Sequence, residues 1–272
     1  MKPKLIKRIL MCEPLYFDSL NYVINPWMHP GTIDKERAKQ QWNDLVAEYK
    51  KRGIVVEIIK QKKGNPDMVF ATDQGIVRGK DVLLSRFWCD ERKNETTYYE
   101  KWFSKNGYRV NHLPTDVYFE GNGDSFFWNG ELLIGVGYRA DQKTCDAVSK
   151  ILNIEVIPLE IVDPKFYHLD VGFFPLNNET AFYYPPAFAQ TSRGVLKKMV
   201  PNLIELSREE AYGFCANSVV TDHHVIHQKG NPMFTKKLKD LGYSSIEVDC
   251  SEFMKSGGGI HCLTNILEEV HN

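Results

Sequence analysis

Apolar and polar positions recur along the chain in a pattern that repeats roughly every fifty residues. Each copy contains a basic amphipathic helix end, a Gly or Asn break and then a β-rich run, and the copies lie at 49–60, 103–114, 148–160, 196–207 and 238–250. Gly53, Gly107 and Gly242 occupy the break, where a helix C-cap requires positive φ before a strand begins. The pattern therefore predicts five helix-to-strand connections.

A second pattern lies between these copies and predicts β-hairpins, each with a turn residue at its centre. The hairpins are expected at 69–87, 124–137, 171–185 and 214–227. Trp128-Asn129-Gly130 carries the Asn-Gly signal of a tight hairpin turn. The order hairpin, helix, strand thus recurs about five times, and such units bury their faces against neighbours. Because no Pro/Gly/Ser-rich linker interrupts them, we expect one α/β domain over residues 1–272; an ordinary α/β domain with similar loops is the alternative.

Composition excludes several classes of protein. The formal net charge of −1 and pI near 6.7 provide no field for a polyanion, so nucleic acid is not an expected partner. No stretch approaches the roughly 18–20 apolar residues of a membrane span. The early apolar run over 9–12 ends at Glu13 and Pro14, too short for a secretory signal. We therefore expect a cytoplasmic protein whose six scattered cysteines are reduced thiols.

One cysteine has an unusual neighbourhood. Cys262 follows three successive glycines at 257–259, where the absence of side chains lets a ligand or another backbone approach closely. The run after it, Leu-Thr-Asn-Ile-Leu-Glu-Glu-Val, is predicted to be a helix, and a helix N-terminus would favour ionisation of the thiol. The alternative is a buried cysteine after a flexible loop.

An activated cysteine needs an acid–base partner. His168 and Asp170 are expected to share one strand face at the head of a hairpin. The group His223, His224 and His227 resembles a metal cluster, but His224 would face away from the other two in a strand, and no carboxylate frame surrounds them. We therefore expect neither a metal nor a cofactor.

Two acidic motifs complete the candidate chemistry. Glu120 precedes a Gly-rich turn, and Asp67 and Asp73 are expected on one side of a strand if that strand is regular. Solvated charges are the alternative for either motif alone.

Together these motifs resemble the pentein superfamily, which includes arginine deiminases, dimethylarginine dimethylaminohydrolases, arginine dihydrolases and amidinotransferases. The matching pieces, in the family's order, are PDMVFATD at 66–73, FEGNGD at 119–124, HLD at 168–170 and SGGGIHCLTN at 256–265. The opening YVINPWM at 22–28 resembles the dihydrolase branch. The resemblance covers nearly the whole chain and implies a five-module α/β propeller with its active site in the central channel.

The resemblance also implies roles. Cys262 becomes the nucleophile, His168 the general acid and base, and Glu120 the carboxylate that serves both His168 and the guanidinium, while Asp170 lies on a further edge. The implied substrate contacts are Asp67, Phe70, Asp73, Arg92, Arg139 and Asn25, with the two arginines on the substrate α-carboxylate. A carboxylate rim matches a planar cation with five N–H donors.

The expected reaction is hydrolysis of arginine or a methylated arginine, through a Cys-thiouronium, to citrulline and ammonia or a methylamine. Double hydrolysis to ornithine, amidino transfer, a non-catalytic pentein and an unrelated Cys-His enzyme such as a protease are the alternatives. The dihydrolases that the chain resembles carry Asn where Asp73 stands, which argues against a second hydrolysis. The short chain favours the dimethylaminohydrolase size class. The expected partner is a small guanidino compound, and a homodimer is left open.

Overall fold

Residues 4–271 are described by a computed structural model, and they form five small sheets arranged as a five-module α/β propeller. The fifteen strands of this part of the chain are β1 (Lys4–Glu13), β2 (Val55–Lys60), β3 (Gly75–Arg78), β4 (Asp81–Leu84), β5 (Arg109–Asn111), β6 (Ser125–Trp128), β7 (Glu131–Val136), β8 (Val156–Glu160), β9 (Phe173–Pro175), β10 (Thr180–Tyr183), β11 (Asn202–Glu205), β12 (Val219–Thr221), β13 (His224–Gln228), β14 (Ser244–Val248) and β15 (Asn265–His271). The fold class predicted from the repeats is confirmed.

The helices of the same part of the chain fall into two groups, long helices that cover the sheets and helices of four or five residues in the connections. In chain order they are α1 (Lys35–Lys51), α2 (Glu95–Lys105), α3 (Gly121–Asp124), α4 (Gln142–Leu152), α5 (Leu169–Gly172), α6 (Gln190–Met199), α7 (Arg208–Tyr212), α8 (Pro232–Asp240) and α9 (Ser251–Met254).

Every sheet has three strands and one connectivity. The first two strands are antiparallel and the second and third are parallel, as in the sheets β3-β4-β5, β6-β7-β8, β9-β10-β11 and β12-β13-β14. One long helix connects the parallel pair, because parallel neighbours need a crossover. The predicted hairpin, helix and strand order is therefore confirmed in these modules.

The remaining module joins the two ends of the chain. Its first strand is β15, which pairs antiparallel with β1, and β1 pairs parallel with β2. Ile9 faces Ile266 on one side and Val56 on the other. This pairing closes the ring, and the apolar run over 9–12 is the buried middle of that sheet.

Local sequence explains where the elements end. Gly53, Gly107 and Gly242 have φ of 72°, 78° and 83°, as a C-cap before a strand requires. The side chain of Asp34 caps α1 by accepting from the Arg37 amide. Asn129 and Gly130 both have positive φ, of 50° and 95°, as predicted for the Asn-Gly turn.

The first strand of each module lines the channel. Val77, Phe126, Phe174, Val220 and Ile266, one from each of these strands, lie on the wall of a cavity of about 750 Å³. In the described residues, no helix is long and apolar enough to cross a membrane.

Candidate active site

The candidate site is built from five short turns, each directly before the first strand of its module. These turns cover residues 71–74, 121–124, 169–172, 214–217 and 259–263. Because the modules share one connectivity, the turns meet at the same end of the channel. Each turn, or the residue just before it, supplies a polar side chain to one cluster: Asp73, Glu120, His168, Asp170, Asn217 and Cys262.

Three local predictions were wrong. Residues after Cys262 form strand β15, so no helix dipole acts on the thiol. His168 and Asp170 lie at the start of the short helix α5 rather than in a strand. Asp67 and Asp73 lie in two successive 3₁₀ turns, Pro66–Val69 and Ala71–Gln74. The first segment pairs with β1 and the other two form the turns that precede a module strand, and short-range patterns reveal neither outcome.

His168 is buried beside three carboxylates, those of Asp73, Glu120 and Asp124. Its Nε2 lies 2.9 Å from Glu120 Oε2, and its Nδ1 lies 3.8 Å from Asp73 Oδ1. Burial alone would lower the pKa of His168, but Asp73, Glu120 and Asp124 together raise the pKa to about 9. The imidazole is therefore a cation at neutral pH and can act as an acid.

Glu120 is ionised in this setting. Burial acts to raise its pKa, but Arg139 and His168 outweigh burial and lower the pKa of Glu120 to about 2. The second oxygen of Glu120 accepts a hydrogen bond from the Trp88 backbone amide at 3.2 Å. Glu120 therefore holds His168 in one orientation.

The Cys262 thiol is buried among groups that oppose its ionisation. Its sulfur lies 3.1 Å from Asp170 Oδ2, which also accepts from His261 Nδ1 at 2.8 Å. Burial, Asp170 and Asp73 raise the pKa of Cys262 well above its ordinary value. These groups favour the thiol over the thiolate, and a cation bound beside the carboxylates would oppose their effect on the Cys262 pKa.

The three glycines before Cys262 are required by close packing. A Cβ at 257 would lie 2.7 Å from Asn25 Oδ1, a Cβ at 258 would lie 2.3 Å from Phe70 Cε1, and a Cβ at 259 would lie 2.9 Å from Asn217 Oδ1. The predicted close approach is therefore made by Asn25 of the same module and by Phe70 and Asn217, which precede two other modules. Gly123 is constrained in the same way, because its Cβ would lie 2.5 Å from Asp73 Oδ1.

Arg92 is buried in an ion-pair network. It donates to Asp73 Oδ2 at 2.7 Å, to both oxygens of Glu95 and to the Asp67 carbonyl. These bonds use four of its five N–H groups, and the fifth makes no hydrogen bond within residues 4–271. Burial raises the pKa of Asp73 to about 6 against the opposing effect of Arg92.

Arg139 is the second arginine of the site. Its guanidinium donates to the Ile24 carbonyl at 2.8 Å and to Cys89 Sγ, and its Nε lies 3.9 Å from Glu120. The guanidinium also stacks on the Tyr167 ring at 5.0 Å. Arg139 thus lies beside Glu120, the hydrogen-bond partner of His168.

Asn25 and Asp67 join the opening segment to the glycine loop. Asn25 donates to Tyr167 Oη at 3.3 Å and to the Ser256 carbonyl at 3.1 Å, while Asp67 accepts from Tyr22 and Ser256 at 2.9 and 2.8 Å. The structure therefore brings all ten sequence-predicted residues into one connected cluster.

Sequence reasoning missed Asn217, which contacts both Cys262 and Asp170. The hairpin at 214–227 was recognised, but Asn217 carries no charge or nucleophile. Its position, directly before a first strand as in the other modules, was the available signal.

His223, His224 and His227 do not form a metal-binding cluster in the described part of the chain. His227 is buried with Nδ1 on the Gln228 carbonyl and Nε2 on Ser245, while His223 is exposed. Within residues 4–271 no group of three or more His, Cys, Asp or Glu could hold a metal ion. The expectation of metal-free chemistry is left to experiment.

A protein-family model described as "N,N dimethylarginine dimethylhydrolase, eukaryotic" matches residues 16–268. The chain belongs to this N,N dimethylarginine dimethylhydrolase family. The resemblance to penteins is thereby confirmed, and the matching relatives are named as hydrolases, among them dimethylarginine dimethylaminohydrolases.

Similar proteins include two kinds of curated relative. The bifunctional arginine dihydrolase/ornithine cyclodeaminase ArgZ of Synechocystis is 40% identical over 97% of this chain and 39% of its own length. The N(G),N(G)-dimethylarginine dimethylaminohydrolase of Mycobacterium tuberculosis is 34% identical over 95% of this chain and 85% of its own. The chain thus spans about two fifths of ArgZ.

The N-terminal domain of ArgZ has a similar structure. It superposes with a TM-score of 0.92 at 38% identity, covering 96% of this chain and 97% of that domain. It has been solved with its substrate bound and covalently bound to a reaction intermediate.

Proposed function

We propose that this protein hydrolyses the guanidinium group of arginine or a methylated arginine through a Cys262-thiouronium, giving citrulline and ammonia or a methylamine. The observation that carries the proposal is a set of buried polar atoms without partners. Among residues 4–271, Asp73 Oδ1, Asp170 Oδ1 and His168 Nδ1 are all buried and have no hydrogen-bond partner, although such atoms are costly to leave unpaired.

A guanidinium supplies the donors that the two carboxylate oxygens lack, while Nδ1–H of the protonated His168 is left to give its proton to the departing nitrogen. The guanidinium N–H donors are planar and cationic, so two carboxylate oxygens from different modules match two of its edges. The two oxygens of Asp170 have different surroundings, since Oδ2 accepts from Cys262, His261 and Asn217 while Oδ1 is left for the substrate. The cation also lowers the cost of forming a thiolate next to two carboxylates.

The chemical steps follow from these positions. Binding of the cation releases the Cys262 proton to solvent, and the thiolate forms an S–C bond to the guanidinium carbon. His168, already protonated, gives its proton to the departing nitrogen as the C–N bond breaks, leaving the thiouronium. Neutral His168 then takes a proton from water, the hydroxide attacks the same carbon, and the S–C bond breaks as the hydroxyl proton returns to sulfur.

The remaining predicted contacts fit an amino-acid substrate. We infer that Arg139 and the one free N–H of Arg92 bind the α-carboxylate, with Asn25, Asp67 and Phe70 shaping the mouth. Arg139 stacks on Tyr167 and contacts Glu120. These two contacts support the role, because they hold the Arg139 guanidinium next to Glu120 and His168.

Double hydrolysis to ornithine is the second candidate. ArgZ is named an arginine dihydrolase, and its N-terminal domain resembles this chain closely. Asp73 argues against it, since a carboxylate held by Arg92 favours the cationic guanidinium over the neutral ureido product.

A product assay tests the proposal. The purified protein is incubated with arginine, with methylated arginines and with agmatine, and citrulline, ornithine, ammonia, methylamines and transfer products are separated. Citrulline as the final product supports single hydrolysis, ornithine supports the second candidate, and no product from any guanidine contradicts both.

A single domain over 1–272, a cytoplasmic location and the alternative of a homodimer stay predictions. Limited proteolysis, cell fractionation and light scattering of the purified protein test them in turn.

A further inference from the structure

The Asn217 side chain spans the nucleophile and its acidic neighbour. Its Nδ2 lies 3.0 Å from Cys262 Sγ and 2.9 Å from Asp170 Oδ2, and its Oδ1 accepts from the Cys262 backbone amide at 3.2 Å. The residue is completely buried. One amide therefore contacts the sulfur, the backbone and the carboxylate of the reaction centre.

The hydrogen bonds fix which end of the amide faces the sulfur. Because Oδ1 is held by the backbone N–H of Cys262, the NH₂ group must face Cys262 Sγ and Asp170. A donor at that position discriminates between two states of the cysteine. The sulfur of a thiol is a weak acceptor, whereas a thiolate accepts a strong, charge-assisted bond.

The thiolate needs such a donor because its other neighbours oppose it. The titratable groups around the sulfur are the carboxylates of Asp170 and Asp73 and the phenol of Tyr167, with His261 bonded to Asp170. Strand β15, rather than a helix, follows Cys262, so its turn provides no helix dipole.

We propose that Asn217 is a catalytic residue whose Nδ2–H group stabilises the Cys262 thiolate that attacks the substrate and later leaves it. The inference rests on the proposed function for its catalytic meaning, but the stabilisation of the thiolate can be measured without a substrate. With this role for Asn217, the module β12-β13-β14 also contributes a residue to the reaction centre.

The test is the rate at which iodoacetamide alkylates Cys262 in the free protein, followed by mass spectrometry between pH 7 and 10. Asn217→Leu removes the amide without adding charge, and Asn217→Asp keeps the oxygen that holds the Cys262 backbone but removes the donor. Both variants should be alkylated about tenfold to a hundredfold more slowly than the parent at pH 8, the loss expected for a hydrogen bond to a charged group.

A merely structural role predicts a different pattern. If Asn217 only positions the backbone of Cys262, the Asp variant retains that bond and reacts within threefold of the parent, which overturns the proposal. Slow alkylation of the Asp variant with a normal rate in the Leu variant also overturns it, because added charge alone would then explain the result.

Asn231→Leu is the matched control. It removes a second amide of the same module, one that donates to the Gly213 and Gln228 carbonyls and does not contact Cys262. Its alkylation rate should stay within threefold of the parent, and thermal unfolding establishes that each variant is folded. Because no substrate is involved, a failure of the guanidine assay leaves this result intact, and a failure here leaves the product assay intact.

Discussion

Glu120→Gln should lower the pKa of His168 substantially. The rise of that pKa from 6.5 to about 9 corresponds to about 3 kcal/mol in favour of the imidazolium. Burial opposes the rise, so the surrounding carboxylates supply more than the net effect. Glu120 makes the direct bond to Nε2, at 2.9 Å. A hydrogen bond between charged groups contributes about 1.5–3 kcal/mol, so its loss should move the midpoint to about pH 7–8.

The assay is NMR titration of isotope-labelled histidine between pH 5.5 and 10.5, with the His168 signal assigned by its absence in His168→Asn. Asp124→Asn is the matched control, since Asp124 lies 3.8 Å from Nε2 and should cause a smaller fall. A midpoint in Glu120→Gln within about 0.3 of the parent would refute the claim that the hydrogen bond from Glu120 raises the pKa of His168.

Glu120→Gln should also lower the free energy of unfolding by an amount that depends on pH. Because the folded protein raises the pKa of His168, the stabilisation is fully present below about pH 6.5 and is lost as the pH rises through about 9. Urea unfolding should therefore show a larger cost of Glu120→Gln at pH 6 than at pH 9.5. An equal cost at both values would mean that Glu120 acts only through packing.

Three further outcomes are expected. Cys262→Ser should lose activity by several orders of magnitude without unfolding, and turnover within about tenfold of the parent, about 1.4 kcal/mol in the barrier, would exclude Cys262 as the nucleophile. Arg139→Ala should mainly raise KM for amino-acid substrates, and agmatine, which lacks the carboxylate, should be a poor substrate; efficient use of agmatine would contradict the clamp. Asp73→Asn should weaken guanidinium binding and allow some ornithine to form, whereas ornithine as the main product of the parent would show that Asp73 does not stop the reaction.

The sequence by itself determined the repeating unit. The glycines that end the helices and the Asn-Gly turn act through local backbone conformation, so a short window of sequence reveals them. The acidic residues, His168 and Cys262 were predicted from their motifs, and Arg92 and Arg139 from the family resemblance.

Only the tertiary structure decided how those residues meet. The sequence after Cys262 is typical of a helix when it is taken alone. In the fold it pairs with β1 and forms strand β15, because this pairing closes the ring and provides hydrogen-bond partners for the edge of β1. The contact of Asn217 with Cys262 could be recognised only in the tertiary structure, where the five turns meet. A neutral amide carries no distinctive chemistry in the sequence, so its role depends on the atoms next to it. The sharing of Asp170 between Cys262 and His261 likewise depends on contacts about ninety residues apart in sequence, which no local pattern specifies.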